Sequence, residues 1–121
     1  MKVVIAGSRT ITDYKWLCEA IHRSGFDITL VISGKEPKGV DQLGELWAKA
    51  HGIPVDPHPA RWNLYRNQAG PIRNGEMEKV ADAAIILRLP FDKKSNGSDD
   101  MFDKMKAAGK PVHREIQDEW C

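Results

Sequence analysis

Two hydrophobic rhythms alternate along this chain: short unbroken β-branched runs, and longer stretches with apolar residues three or four apart. Lys2-Val3-Val4-Ile5-Ala6, ended by Gly7, is the first run. It reads as a strand buried on both faces, the habit of parallel sheets. Tyr14, Leu17, Cys18 and Ile21 then fall at helical spacing, predicting a helix from about Thr12 that stops at Ser24-Gly25. Asp27 to Ile32 is a second buried strand, closed by Ser33-Gly34. After the loop Lys35 to Gly39, Val40, Leu43 and Trp47 form the stripe of a second helix, with Gly52 as its stop. Ile53 to Pro59 is extended, and its prolines place it at a sheet edge. Ala60 to Gly70 is polar with Trp62 and Tyr65 embedded, and reads as a functional loop. A helix is predicted from Pro71, the proline at its first position, with Met77, Val80 and Ala81 inward. Ala83 to Leu89 is a fourth strand, and Lys93 to Gly97 a loop. Ser98, Met101, Phe102 and Met105 trace a last helical face ending at Gly109; Pro111 to Ile116 is a final strand, and Trp120 is expected to pack the tail down.

Strand and helix thus alternate with short connections, which predicts right-handed βαβ crossovers. The expected fold is a Rossmann-like three-layer α/β/α sandwich with a mainly parallel five-stranded sheet. No repeat or composition break divides the 121 residues, so a single domain is expected. In open parallel sheets ligands bind beyond the carboxyl ends of the strands. The loops beginning at Gly7, Ser33, Ala60 and Leu89 should therefore gather on one edge.

Composition narrows the function classes. The chain is 41% hydrophobic and 29% charged, ordinary for a globular protein, with a net charge of +1. That balance gives no global attraction to nucleic acid or to a membrane surface, so any anion site must come from local geometry. Cys18 and Cys121 make no disulfide framework. Met1-Lys2 leads straight into a strand and no apolar run approaches the ~20 residues of a membrane span, so a cytoplasmic protein is expected.

Candidate chemistry sits at the strand ends. In Gly7-Ser8-Arg9 the glycine admits close backbone approach, the serine can bond a phosphate and the arginine can clamp it; the same residues also suit a tight strand–helix turn. Ser33-Gly34, with Gly39-Val40-Asp41, repeats the pattern; Asp41 suits a ribose or base edge, or simply the start of a helix. Gly44 costs its helix ~1 kcal/mol relative to alanine, which points to close packing. Arg61 and Trp62 can bind a phosphate and stack a base, or the tryptophan can pin a long loop. Arg73 and Asn74 fall in what reads as the first turn of the Pro71 helix, where free N–H groups attract anions. Gly97 and Ser98 suit a phosphate cradle, yet Ser98 is equally a good N-cap, and Asp99 and Asp100 would repel a dianion.

Other chemistries lack their signatures. There is no GxGxxG and no G-K-[ST]. His22, His51, His58 and His113 fall on different elements without zinc-ligand spacing, and no carboxylate pair marks acid/base work.

Taken in order, G-S-R after the first strand, S-G with G-V-D, P-A-R-W, A-G-P-x-R-N-x-x-M, S-x-G-S-x-x-M and G-K-P-V make the chain similar to the YspA/YpsA-related branch of the SLOG (SMF/DprA–LOG) superfamily. The resemblance runs from Val3 to about Val112, with A-G-P-x-R-N-x-x-M its most specific block. It implies a Rossmann-like fold that binds nucleotides or nucleotide-derived ligands, with Gly7, Ser8, Arg9, Ser33, Gly34, Asp41, Arg73, Asn74, Gly97 and Ser98 facing the ligand. LOG relatives, which cleave nucleoside monophosphates, carry P-G-G-x-G-T-x-x-E. Here the opening is absent and Met101 stands at the glutamate position, where a thioether can move no proton.

The expectation is therefore a protein that senses or sequesters a nucleotide-derived small molecule such as ADP-ribose, with no cofactor assigned beyond that ligand. A LOG-like hydrolase using Asp41, Asp99 or Asp100 is the alternative. A single-stranded DNA-processing accessory is a further one, opposed by the near-neutral charge. The resemblance also implies a homo-oligomer.

Overall fold

The computed structural model describes residues 1–90 and 96–117. In chain order the elements are β1 (Lys2–Gly7), α1 (Tyr14–Ser24), β2 (Leu30–Ser33), α2 (Val40–Ala50), β3 (Val55–Pro57), α3 (Trp62–Tyr65), a 3-10 turn (Arg66–Gln68), α4 (Ala69–Val80), β4 (Ala83–Arg88), α5 (Asn96–Ala107) and β5 (Val112–Ile116). The strands form a five-stranded, all-parallel sheet in the order β3-β2-β1-β4-β5, a Rossmann-like α/β sandwich.

The unbroken apolar runs are explained by the two faces they cover. Val3, Ile5, Val31, Ile85 and Leu87 point to one face and pack with Leu17 and Ile21 of α1 and Val40, Leu43 and Trp47 of α2. Val4, Ile32, Ala84 and Ile86 point to the other, against Met77 of α4 and Met101 and Met105 of α5. Gly44 lets α2 lie directly on β1: a Cβ there would stand 2.8 Å from Ile5 Cγ2.

Several boundaries differ from the sequence reading. β2 begins at Leu30 rather than Asp27, because the preceding residues hold the amino terminus: Met1 donates to the Asp27 carbonyl at 2.7 Å, and Thr29 N–H donates to the Met1 carbonyl at 2.9 Å. The expected loop Ala60 to Gly70 contains α3 and the 3-10 turn and runs without a break into α4. Pro71 is consequently the third residue of α4, not the first; it is tolerated there because the opening N–H groups of a helix have no intrahelical acceptor. Arg73 and Asn74 therefore lie in the second turn, past those free N–H groups. Val80, expected inward, is 40% exposed, while Ala81 is buried as expected although it leaves the helix in extended conformation. Ser98 is not an N-cap: α5 starts at Asn96, and Ser98 is wound into its first turn. Most of the predicted loop before α5, and Trp120, lie outside the described residues.

Candidate functional site

From β1 the chain goes outward to β2 and β3, then returns to β4 on the other side of β1. The carboxyl ends of β1 and β4 thus form the switch point where open α/β sheets leave a crevice. A cleft lies there, enclosing about 490 Å³ of empty space with its solvent mouth included.

Glycines set how closely its loops meet. A Cβ on Gly7 would stand 2.1 Å from the Leu87 carbonyl oxygen, so β1 and β4 touch at their ends. Gly39, with φ +79°, opens α2 directly under Ser8 and Arg9, where a Cβ would come within 2.4 Å of the Ser8 carbonyl. Only glycine suits both that conformation and that approach. The loops after β1 and β2 are thereby interlocked, and Val40 N–H donates back to Ser8 O at 3.4 Å.

Ser8 is buried; its N–H donates to the Leu87 carbonyl at 3.1 Å and its hydroxyl accepts from Leu89 N–H at 3.2 Å. It stitches strand ends together. Arg9 is 63% exposed and lies 3.3 Å from the Glu36 carboxylate, leaving its guanidinium reachable from solvent. Ser33 turns away: its hydroxyl donates to Glu45 at 2.8 Å and accepts from Lys35 N–H at 3.1 Å, while Lys35 Nζ holds the other Glu45 oxygen at 2.7 Å.

The floor carries two buried charged side chains. Asp41 is 6% exposed and accepts from Glu36 N–H at 3.2 Å. Burial pushes its carboxyl up to about 7, against the opposing pull of that N–H and of Arg73; Glu36 and Glu45 add to the rise. Arg73 is 8% exposed; Nη1 donates to the Gly34 carbonyl at 2.7 Å and Nε to Asn74 Oδ1 at 3.0 Å. Asn74 Nδ2 in turn donates to Gly97 O and Asp100 Oδ2, both at 3.0 Å, and Asp100 is held by Lys104 at 2.6 Å. This relay ties the loop after β2 to α4 and α5.

Of the residues singled out from the sequence, Gly7, Ser8, Arg9, Asp41, Arg73, Asn74, Gly97 and Ser98 line the cleft. Ser33, Gly34, Arg61 and Trp62 do not. Gly34 nonetheless supports it from behind, by binding Arg73. Trp62 is 49% exposed and reaches over Gly70, 3.6 Å from where a Cβ would stand, so it covers the start of α4 rather than the strand ends. Glu36, Ala6, Met77 and Met101 also line the cleft and were not anticipated as ligand-facing. The only sequence sign of Glu36 is its place in a loop after a strand that closes on Ser-Gly; its pairing with Arg9 is a product of the fold. Among the described residues, no group of three His, Cys, Asp or Glu could hold a metal ion, and no helix is long and apolar enough to cross a membrane.

Compared with known proteins, residues 1–65 match the family model described as the YspA, cpYpsA-related SLOG family. No curated protein and no solved structure matches the chain. The matched residues run from β1 through α3 and include Gly7, Ser8, Arg9, Glu36 and Asp41, while the α4 and α5 walls lie beyond them.

Proposed function

Because the chain belongs to the YspA, cpYpsA-related SLOG family, we propose that its strand-end cleft binds a nucleotide or nucleotide-derived small molecule and that the protein acts as a sensor or sequestering protein for it. Family membership points to nucleotide-related ligand binding in general. The observation that carries the finer reading is the cleft floor. Asp41 and Arg73 are both at least nine-tenths buried at the topological switch point, and buried ionisable groups gathered in a cleft mark functional sites. Arg9, mostly exposed at the rim, supplies the anion-attracting group. Binding is favoured over turnover by the residues of α5. Met101 is fully buried in the cleft wall, Asp99 faces Arg88 at 3.0 Å, and Asp100 is occupied by Asn74 and Lys104.

Calorimetry against adenosine nucleotides, ADP-ribose, NAD and cyclic nucleotides tests the proposal. Saturable heat with at least one is expected, and no heat with any removes it. Arg9→Ala should weaken an anionic ligand about ten- to hundredfold, the scale of a charge-assisted hydrogen bond, while leaving Tm unchanged because the side chain is mostly exposed.

One observation favours a hydrolase as a second reading: Asp41 lies in the cleft, and burial pushes its carboxyl up to about 7, in the range suited to a general acid or base. Chromatography of the bound nucleotide after long incubation separates the two. Intact ligand supports binding alone, whereas product that disappears in Asp41→Asn supports hydrolysis.

A further inference from the structure

Asp41 and Arg73 flank Gly34. A Cβ on that glycine would stand 2.9 Å from Asp41 Oδ2 and 2.6 Å from Arg73 Nη1. An acidic and a basic side chain are thus neighbours in a buried floor, yet among the described residues Asp41 forms no ion pair with Arg73. Each keeps one polar atom in reserve. Asp41 Oδ2 takes the Glu36 N–H, while no described residue donates to Oδ1. Arg73 uses Nε on Asn74 and Nη1 on Gly34, while Nη2 donates to no described residue. Neither Oδ1 nor Nη2 is among the side-chain atoms sealed from solvent without a partner, and both residues line the cleft. The floor therefore presents one acceptor and one donor side by side.

A phosphate does not match that pair. Its oxygens suit Arg73 but would meet the Asp41 carboxyl, whereas Arg9 at the rim offers a cation without that conflict. The apolar lining by Ala6, Met77 and Met101 suits a base. Vicinal hydroxyls fit what is left, because each hydroxyl both donates and accepts and neither carries charge. Building on the nucleotide-binding reading, we propose that Asp41 and Arg73 together read the 2′,3′-diol of a ribose, making the cleft selective for ribonucleotides over their deoxy counterparts.

The test is calorimetric binding of AMP, GMP, CMP and UMP beside their 2′-deoxy forms, to the wild type, Asp41→Ala and Arg9→Ala. In the wild type, a ribonucleotide that binds is expected to do so at least tenfold more tightly than its deoxy form, since losing the hydroxyl leaves a buried group unpaired. In Asp41→Ala that ratio should fall to within twofold, while Arg9→Ala should weaken both forms and keep the ratio. A merely structural Asp41 would instead weaken both forms alike. Equal binding of ribo and deoxy forms by the wild type, or an unchanged ratio in Asp41→Ala, overturns the ribose assignment and leaves nucleotide binding standing. Absence of binding by every mononucleotide overturns the ribose assignment, and absence of binding by ADP-ribose, NAD and cyclic nucleotides as well overturns both. Should Asp41→Ala fail to fold, the wild-type ratio alone decides.

Discussion

At the scale of single residues, Asp41 and Arg73 bear on stability in opposite directions. Burial raises the Asp41 carboxyl from 3.8 to about 7, so the folded protein keeps a proton that the unfolded chain releases above pH 4. Stability from this group is complete below pH 4, declines as pH rises toward 7, and is lost above that. Asp41→Asn should therefore stabilise the protein at pH 8, by on the order of 2–4 kcal/mol, and flatten the profile between pH 4 and 7. Urea unfolding across that range checks it. Arg73 is the counterpart. Read from the sequence as part of an anion site at the start of the Pro71 helix, it is bonded to the Gly34 carbonyl and to Asn74. Arg73→Ala should lower unfolding free energy by roughly 1.5–3 kcal/mol, the cost of charge-assisted bonds lost in a buried setting, as measured by the same urea titration. Its motif was legible in A-G-P-x-R-N; its bond to Gly34 reaches back to a loop 39 residues earlier, a separation no local pattern reveals.

Elements follow the pattern where burial is two-sided and depart from it where side chains serve something other than the core. β1 and β4 were legible because each is an unbroken apolar run in the middle of the sheet. α4 was legible only in part. Its buried residues are Ala69, Gly70, Arg73, Asn74 and Met77, a polar–apolar mixture with no clear stripe, while Ile72 and Val80 are exposed. A helix that turns an arginine and an asparagine inward gives periodicity little to detect. Two glycines test the packing at this scale. In α2, Gly44→Ala should destabilise by about 1–2 kcal/mol, because overpacking against Ile5 outweighs the gain in helix propensity. In α4, Gly75→Ala meets, among the described residues, only Lys104 Cε at 3.8 Å and should stabilise by up to about 1 kcal/mol. Thermal unfolding of the pair reads out the difference in sign.

For the molecule as a whole, the sheet order determines where function can sit, and one polar cluster secures the sheet's far edge. β5 is a half-exposed edge strand, and its Glu115 accepts from Arg23 at 2.7 and 2.8 Å, from Trp16 Nε1 at 2.8 Å, and lies 2.7 Å from His113 Nε2. The Arg23 guanidinium foremost, with His113 and Trp16, holds the Glu115 carboxyl down to about 2. A lowered carboxyl stabilises above its unfolded value near 4.5 and loses that contribution as pH falls toward 2, so Glu115→Gln should reduce stability at pH 7 but not at pH 2. None of this cluster was visible beforehand, since its members come from opposite ends of the chain. The gathering of strand ends was visible, because parallel order alone places every carboxyl end on one edge; the Trp62 ring, by contrast, lies over Gly70 at the start of α4, a placement no local pattern reveals.

The central claim is that a nucleotide-derived ligand occupies this one cleft. Titrating the ¹⁵N-labelled protein with the tightest-binding nucleotide and following backbone amides and the Trp62 indole by NMR addresses it directly. The account predicts saturable shifts at Gly7, Ser8, Arg9, Glu36, Asp41, Gly97 and Ser98, with the Trp62 indole unmoved. Shifts confined to Arg61, Trp62 and their neighbours, or none at the strand ends, would contradict it.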